Sequence, residues 1–413
     1  MQRTHKIRLY PNNKQEAYLM RCCGAARFAY NWGLNRWQEM YEAHKDNPES
    51  CQQPNQYILR KELNAIKREE FPWMCEVTKY APQQALINLG SAFDSFFKGR
   101  GRYPKFKRKG EHDSFYIGSD LLKVDKASVW IPGLMRFMGK RRKLGWVRMA
   151  EPLRYGNAKI VCSTVSRTAD KWYIAITCEV PDTAAKKGGG KVVGVDVGVN
   201  EYVTSDGEFM PVPRALRKAQ RKLRRAQQSL SRKRKGSKNM AKQKAKVARI
   251  HARIANIRAD WMHKLTSELT NEYDVIAIED LNAIGMTKNH HLAMSVTDAA
   301  FGEFRRQIEY KSEARCCMVY VADRWYPSSK TCSCCGSVKA KLSLSERTYV
   351  CDECGFTCHR DLNAAINLRN LAVSSTVTAC GEFSASAPGP RRSASNLCEA
   401  GRKRQSSTMA RTE

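Results

Sequence analysis

Gly194-Val195-Asp196-Val197-Gly198 decides how this 413-residue chain is read. In a strand, residues two apart share a face. Gly194, Asp196 and Gly198 therefore stand on one side, and Val193, Val195 and Val197 on the other. The valine side reads as core. A carboxylate between two glycines leaves room for metal ions and a polymer backbone, although a strand-ending Asp making an Asx-turn into Gly198 fits the same residues.

Working outward, two further acids end or begin apolar elements. Glu279 ends the run Val275-Ile-Ala-Ile278, with Asp280 beside it pointing the other way and still eligible as the acid. Asp361 lies in Arg360-Asp361-Leu362-Asn363-Ala364-Ala365, at the start of a helical pattern. There the helix dipole favours a carboxylate, and simple capping is the plainer reading. Asn363 either orients a ligand or fixes the turn. Three carboxylates gathered at one point repel one another unless divalent cations bind, and oxygen donors of this kind suit Mg²⁺ or Mn²⁺. Two such ions roughly 3.5–4 Å apart would activate a water and stabilise the leaving oxygen of an in-line phosphodiester displacement.

Composition points to a polyanionic partner, polyphosphate first and an anionic membrane surface as its rival. Lys and Arg total 72 against 40 Asp and Glu, a formal net charge of +32. Such a surplus bears on partners rather than on fold, and polyphosphate is the matching polyanion because neutralising phosphates releases condensed counterions. Between Arg214 and Arg258 there are 18 Lys/Arg and no Asp or Glu. Leu216, Leu223 and Leu230 mark one apolar stripe there, and Val247, Ile250, Ile254, Ile257, Trp261 and Leu265 another. With a break at Lys235-Gly-Ser-Lys238, this reads as a helical hairpin packed on one side and basic on the other. Arg221, Arg224 and Arg225 are candidate phosphate contacts. So are Arg100 and Arg102 in the segment 98–110, where Tyr103 and Phe106 could stack on bases. A merely solvated basic face is the alternative for both stretches. No run of 18 apolar residues appears, and the start Met1-Gln-Arg-Thr-His-Lys-Ile7 lacks the apolar core of a secretory signal. The expectation is a reducing cytoplasm with no membrane partner.

Sixteen cysteines are present, eight of them between Cys316 and Cys358. Cys332-x-x-Cys335, fifteen residues, then Cys351-x-x-Cys354 is the spacing of two zinc knuckles. The expectation is one structural zinc, with Gly336 and Gly355 permitting the tight turns, Cys334 a competitor and Cys358 a bystander. Elsewhere, Thr4–Tyr10 alternates like a strand, and helical patterns cover about 14–44, 57–68 and 83–98. Short alternating runs between Ser114 and Val180 read as an antiparallel sheet or barrel. Pro181–Gly190 has linker composition. Strands then mix with long helices: Val192–Val197, Tyr202–Ser205, Phe209–Val212, Val275–Ile278 and Met318–Ala322, with helices Asp298–Ala314 and Asp361–Leu371. The Ser-rich tail after Val373 reads as disordered.

The ordered set Gly-Val-Asp196-Val-Gly, Ile-Glu279-Asp-Leu, the four-cysteine knuckles and Arg360-Asp361-Leu-Asn363-Ala-Ala resembles transposon-encoded TnpB, compact relatives of type V CRISPR nucleases. The likeness extends to Leu9-Tyr-Pro-Asn12, Lys79-Tyr-Ala-Pro-Gln83 and Tyr326-Pro-Ser-Ser-Lys-Thr-Cys332, and covers about residues 6–371. The resemblance implies a multidomain α+β protein. Residues 1–10 and 111–182 would form an OB-like β-barrel (wedge), interrupted by a helical recognition insert over 11–110. After a linker at 183–190, a RuvC/RNase H-like α/β domain over 191–325 and 359–372 would carry Asp196, Glu279 and Asp361 as its Mg²⁺-binding catalytic triad. A zinc ribbon over 326–358 would interrupt that domain, and 373–413 would be a disordered tail.

The partners implied are a guide RNA from the transposon end and double-stranded target DNA beside a short adjacent motif, in a prokaryotic, nucleoid-associated setting. Lys79 and Gln83 fall where that motif is read, and Gln pairing with adenine is chemically sensible. One departure is His359, where relatives often carry an acid two residues before the last catalytic Asp. An RNA-guided endonuclease leaving 5′-phosphate and 3′-hydroxyl ends is the leading expectation. An RNA-guided repressor with vestigial acids and a strand-transfer transposase are its rivals.

Overall fold

A computed structural model describes residues 1–413 apart from 51, 132–133, 138–139, 182–189, 344 and 382–413; for 134–137, 140–143 and 376–381 it describes the backbone alone. Strand β1 (Gln2–Tyr10) leads into helix α1 (Asn13–Asp46), followed by α2 (Gln56–Ile66) and α3 (Tyr80–Phe97). The start of α1 is set by a capping box: Asn12 Oδ1 accepts from Gln15 N at 2.9 Å, and Asn12 N donates to Gln15 Oε1 at 3.0 Å. This satisfies two otherwise orphaned donors of the first turn. The Trp37 and Phe93 rings stack at 4.2 Å between α1 and α3.

Eight strands follow: β2 (Ser114–Gly118), β3 (Lys123–Asp125), β4 (Ser128–Trp130), β5 (Leu134–Phe137), β6 (Lys140–Lys143), β7 (Trp146–Met149), β8 (Lys159–Thr168) and β9 (Lys171–Glu179). Seven of the nine N-terminal strands form one antiparallel sheet in the order β2-β8-β9-β1-β7-β4-β3, while β5 and β6 pair apart. Strand β1 pairs with β9 from Gln2 to Leu9 and meets β7 at Leu9 and Tyr10. Alternation predicts an antiparallel sheet or barrel; among the described residues the seven strands form an antiparallel sheet with no pairing between β2 and β3. Ile7, Leu9, Tyr18, Leu19, Leu86, Leu89, Phe93, Phe115 and Trp172 belong to a single buried cluster. The sheet and the helical segment that interrupts it therefore share one core.

The linker at 183–190 lies outside the described residues except for Gly190. Beyond it come β10 (Val192–Val197), β11 (Glu201–Thr204), β12 (Phe209–Pro211), helices α4 (Ala215–Ser231) and α5 (Lys238–Glu272), and β13 (Val275–Glu279). They are followed by α6 (Ala283–Lys288), α7 (Ala293–Ala299), α8 (Phe301–Arg315), β14 (Met318–Ala322), β15 (Thr348–Val350), β16 (Thr357–His359) and α9 (Arg360–Gly381). A five-stranded sheet runs β12-β11-β10-β13-β14. Its first three strands are antiparallel, and β10, β13 and β14 are parallel.

Two local expectations are corrected here. The helix expected over Asp298–Ala314 is broken at Ala300, whose φ of 57° ends α7 and starts α8 in a new direction. Asp298 takes a different role: its buried carboxylate accepts from Leu216 N at 2.8 Å and Arg217 N at 3.0 Å, capping α4 from 82 residues away. The final helix also runs to Gly381, so 373–381, the start of the stretch expected to be disordered, is helical; 382–413 lie outside the described residues.

The sheet's two faces separate as the valine alternation requires. Val193, Val195 and Val197 pack with Met262, Leu265, Phe304 and Ile308 of α5 and α8. Helix α9 covers the other face. A Cβ placed on Gly194 would stand 2.0 Å from Ala365 O and 2.6 Å from Arg369 N, so α9 lies with its backbone against this residue. Gly194→Ala should therefore cost about 3 kcal/mol or more, the upper range for overpacking a close contact. A lowered midpoint of thermal or urea unfolding is the expected readout, and unfolding indistinguishable from the parent would mean that α9 is not seated there.

Candidate functional site

The three candidate acids come from three elements and face one region. Val195 of β10 pairs with Ile278 of β13, so Asp196 and Glu279 are each one residue past that pair, at the carboxyl ends of adjacent parallel strands. Asp361 lies four residues before Ala365 on α9, hence on the same helix face as the residue resting on Gly194. The glycines serve a different purpose from the one expected. Gly194 admits the α9 backbone, and a Cβ on Gly198 would sit 2.5 Å from Glu201 O in the turn to β11. Both allow close approach of protein backbone rather than leaving space for a cation.

Electrostatics marks the region. Burial pushes the Asp196 carboxyl well above the usual carboxylate range; Glu279 and then Asp361 add to the push, while Arg360 opposes it. Burial also raises Glu279, partly offset by the Ser328 hydroxyl, which donates to Glu279 Oε1. Asp361 is about nine-tenths buried. Its Oδ1 accepts from Arg360 Nε at 3.0 Å, and its Oδ2 from an Arg347 guanidinium nitrogen at 3.5 Å. Asp280, the alternative to Glu279, is occupied: against the upward push of partial burial, Arg324 and Arg305 hold it below the usual range through ion pairs of 2.6 and 2.5 Å.

The loop after β14 ties this region to the cysteines. Asn363 Nδ2 donates to Thr331 O at 2.6 Å, and its Oδ1 accepts from Ser333 N at 3.0 Å. Asn367 Nδ2 donates to Ser328 O at 2.8 Å and to Thr331 O at 2.6 Å. Asn363 thus fixes a loop rather than orienting a ligand. Ser328, which no local pattern of chemistry singled out, is the residue that this loop delivers to Glu279.

Cys332, Cys335, Cys351 and Cys354 bring their sulfurs within 4.8 Å of one another. The Cys332–Cys354 and Cys335–Cys351 Sγ separations are 3.7 and 3.6 Å. Four thiolates at a Zn–S distance of about 2.3 Å in a tetrahedron stand about 3.8 Å apart, so the quartet fits zinc. The two knuckles repeat one turn: Gly336 N donates to Cys332 O at 2.9 Å and Gly355 N to Cys351 O at 3.2 Å, with φ of 78° and 68° at the glycines. Cys334 and Cys358 are outside the quartet.

The candidate polynucleotide contacts lie on other elements. Lys79 and Gln83 stand one turn apart at the start of α3; Lys79 Nζ reaches Asp120 at 3.5 Å and lies 4.9 Å from the Tyr80 ring centre. Arg100 and Arg102 are exposed after α3. Both aromatics there are exposed, and Tyr103 also packs edge-on against Phe93 and Phe96 and accepts from Gln38. Arg221, Arg224 and Arg225 are exposed on α4, whose Leu223 and Ala226 pack with Ile250 and Ile254 of α5. Ile257, expected in that stripe, is 40% exposed. No helix of the described residues is long and apolar enough to cross a membrane.

A basic α/β protein with acids at the carboxyl edge of a mixed sheet and a thiolate quartet beside them belongs to the class that handles polynucleotides. The family described as Probable transposase matches residues 175–290, a Cas12f1-like TNB domain matches 301–368, and a helix-turn-helix domain matches 1–46. That last stretch holds one strand and the single helix α1. A protein of Streptomyces pristinaespiralis, provisionally named an RNA-guided DNA endonuclease, is 36% identical over 386 residues, 92% of each chain. The Escherichia coli (strain K12) protein InsQ, provisionally named likewise, is 32% identical over 405 residues, 92% of this chain and 94% of its own. The protein in a cryo-EM structure of a Cas12f1–sgRNA–target DNA complex shares the fold at a TM-score of 0.53 and 13% identity, over 90% of this chain and 99% of that one. The chain belongs to the TnpB family of transposon-encoded proteins.

Two outcomes follow from the site. A carboxyl whose folded pKa is raised makes folding bind protons, so stability is greatest on the acid side and is lost as pH rises from the unfolded carboxylate range through the raised value. In magnesium-free buffer, the melting temperature of Asp196→Asn should therefore exceed that of the parent by a margin that widens between pH 4 and pH 8, as roughly expected for removing a buried like charge. A margin independent of pH would show that Asp196 carries no such burden. Metal analysis should also return one zinc per chain, and Cys351→Ser should lose it together with the loop contacts to Asn363 and Asn367, read as protease sensitivity within 326–358. Retention of zinc by that variant would exclude the quartet.

Proposed function

We propose that this protein is an RNA-guided DNA endonuclease of a transposable element, hydrolysing phosphodiester bonds at guide-complementary target DNA next to a short adjacent motif. The observation that carries the reading is the placement of Asp196 and Glu279 at the carboxyl ends of neighbouring parallel strands, with Asp361 brought over them by α9. Ligands of open α/β sheets gather at the carboxyl ends of strands. The names of the relatives, 36% and 32% identical over nine-tenths of the chain, support the same activity.

In this reading Asp196, Glu279 and Asp361 hold two Mg²⁺ or Mn²⁺ ions. Bound there, such ions supply an activated water and neutralise charge on the leaving oxygen. The protein's own groups do the rest. Asp196, between the other two carboxylates, is the acid best placed to be shared. Ser328 orients Glu279 through its hydroxyl, and α9 fixes Asp361. Arg305 and Arg324 neutralise Asp280, which keeps a fourth charge from competing. We read the five-stranded sheet with α9 as a RuvC/RNase H-like domain, the cysteine segment as a zinc ribbon with one structural Zn²⁺, and the N-terminal sheet as the OB-like wedge carrying the helical insert. The exposed cations of α4 and α5 would follow nucleic-acid backbone, and Lys79 with Gln83 would read the adjacent motif.

Purified protein with the RNA that accompanies it should cut matched double-stranded DNA in Mg²⁺, and Asp196→Ala should abolish cutting while retaining RNA and DNA binding. Ser328→Ala should slow cutting about tenfold, the effect of losing one hydrogen bond to a charged group. Binding without cutting by the parent protein in Mg²⁺ and Mn²⁺ would favour a guided repressor, and joined rather than free ends would favour strand transfer.

A further inference from the structure

Beside the acid site, a second set of ligands stands together. Glu201 opens β11, His359 closes β16 and Asp361 lies in the first turn of α9; one ligand atom from each is within 4.8 Å of the other two. Among the described residues, only the cysteine quartet forms another group so tight. His359 and Asp361 flank Arg360 where β16 runs into α9, whereas Glu201 comes from β11, 158 residues before His359.

His359 is held for such a role. Its backbone is paired with Thr348, and its ring stands edge-on to Phe209 of β12 at 5.1 Å between centres. Its Nδ1 is closed off from solvent and bonded to nothing. Among the described residues, neither carboxylate comes within the 4.0 Å of an ion pair with the imidazole. Ligand atoms beyond direct contact yet within 4.8 Å of one another are what two metal–ligand bonds of about 2.0–2.2 Å across one ion would produce. Of the two guanidiniums on Asp361, Arg347 is the distant one at 3.5 Å and is half exposed, so Oδ2 is the less firmly held oxygen.

We propose that Glu201, His359 and Asp361 bind a divalent transition-metal ion, with manganese the test case, at a site that shares Asp361 with the nuclease centre. An imidazole among carboxylates is poorly suited to magnesium, a hard ion that favours oxygen donors and retains its waters. It is well tolerated by first-row transition metals. The inference rests on the nuclease reading only through the shared Asp361. Its consequence is a protein whose metal response at the last acid differs from that of an all-carboxylate site.

The test uses the full-length, zinc-loaded chain titrated with Mn²⁺, followed by electron paramagnetic resonance with detection of ¹⁴N coupling. Bound Mn²⁺ should show imidazole nitrogen coupling in the parent protein. His359→Ala should lose the coupling and weaken Mn²⁺ binding about tenfold or more, the scale on which a lost ligand or its support is felt. Unchanged zinc content and melting serve as the folding control. Glu201→Gln, at the half-buried first residue of β11, should weaken Mn²⁺ binding while keeping the coupling, and it carries the test should His359→Ala fail to fold. Absence of ¹⁴N coupling in the parent, its persistence in His359→Ala, or unaltered Mn²⁺ affinity in Glu201→Gln would each overturn the site. Asp196→Asn separates the two readings: loss of cutting with the coupling retained supports both. Undiminished cutting would remove the nuclease reading and leave this one standing.

Discussion

Contact between the backbone of α9 and Gly194 is the constraint on which the C-terminal half depends. Residue 194 has no room for a side chain, because Ala365 O and Arg369 N occupy the space a Cβ would need. With α9 pressed that close, its first turn must pass over the end of β10, and Asp361 arrives beside Asp196. The arrangement is costly without cations: two carboxyls are raised by burial, and Asp196 also by its neighbours. Perturbed carboxyls gathered in this way mark a candidate functional site.

The surrounding charges are arranged to isolate that cluster. Asp280 would add a fourth negative charge, but two guanidiniums close on it. Asp298, buried further off, spends its charge on the amino end of α4, where a carboxylate satisfies open N–H groups and the helix dipole. The same cap anchors the basic hairpin. The 18 cations without a single acid between Arg214 and Arg258 are tolerable on a solvated face, and a bound polyanion would relieve their mutual repulsion. Asp280 and Asp298 are thereby each held by partners of their own, apart from the three carboxylates of the site.

Local patterns made much of this legible. Valine alternation announced β10 and its buried face, and acids at the ends of apolar runs announced the site. Cysteine spacing announced the quartet, because knuckles are local turns whose geometry two residues determine. What stayed hidden depends on segments distant in the chain. That Gly194 admits a helix rather than a ligand follows only from where α9 packs, about 170 residues on. The cap supplied by Asp298 lies 82 residues from its helix. The open order of the N-terminal sheet could not be read from alternation, which specifies faces but not neighbours. Composition likewise misjudged 373–381, where Ser and Thr beside Val and Ala continue a helix already nucleated by the packed turns before it.

The cysteine segment acquires its meaning from the same geometry. Its quartet lies at the end of a loop whose Thr331 and Ser328 carbonyls are gripped by Asn363 and Asn367 of α9, and whose Ser328 hydroxyl meets Glu279. A four-thiolate site is closed and offers no open position for a substrate. Its contribution therefore passes through the loop. The loop at 326–333 links the quartet to Ser328, whose hydroxyl meets Glu279, through the carbonyls that Asn363 and Asn367 hold. The zinc-type site and the carboxylate site, separate in sequence and in ligand chemistry, are mechanically one structure, with α9 as the member common to both.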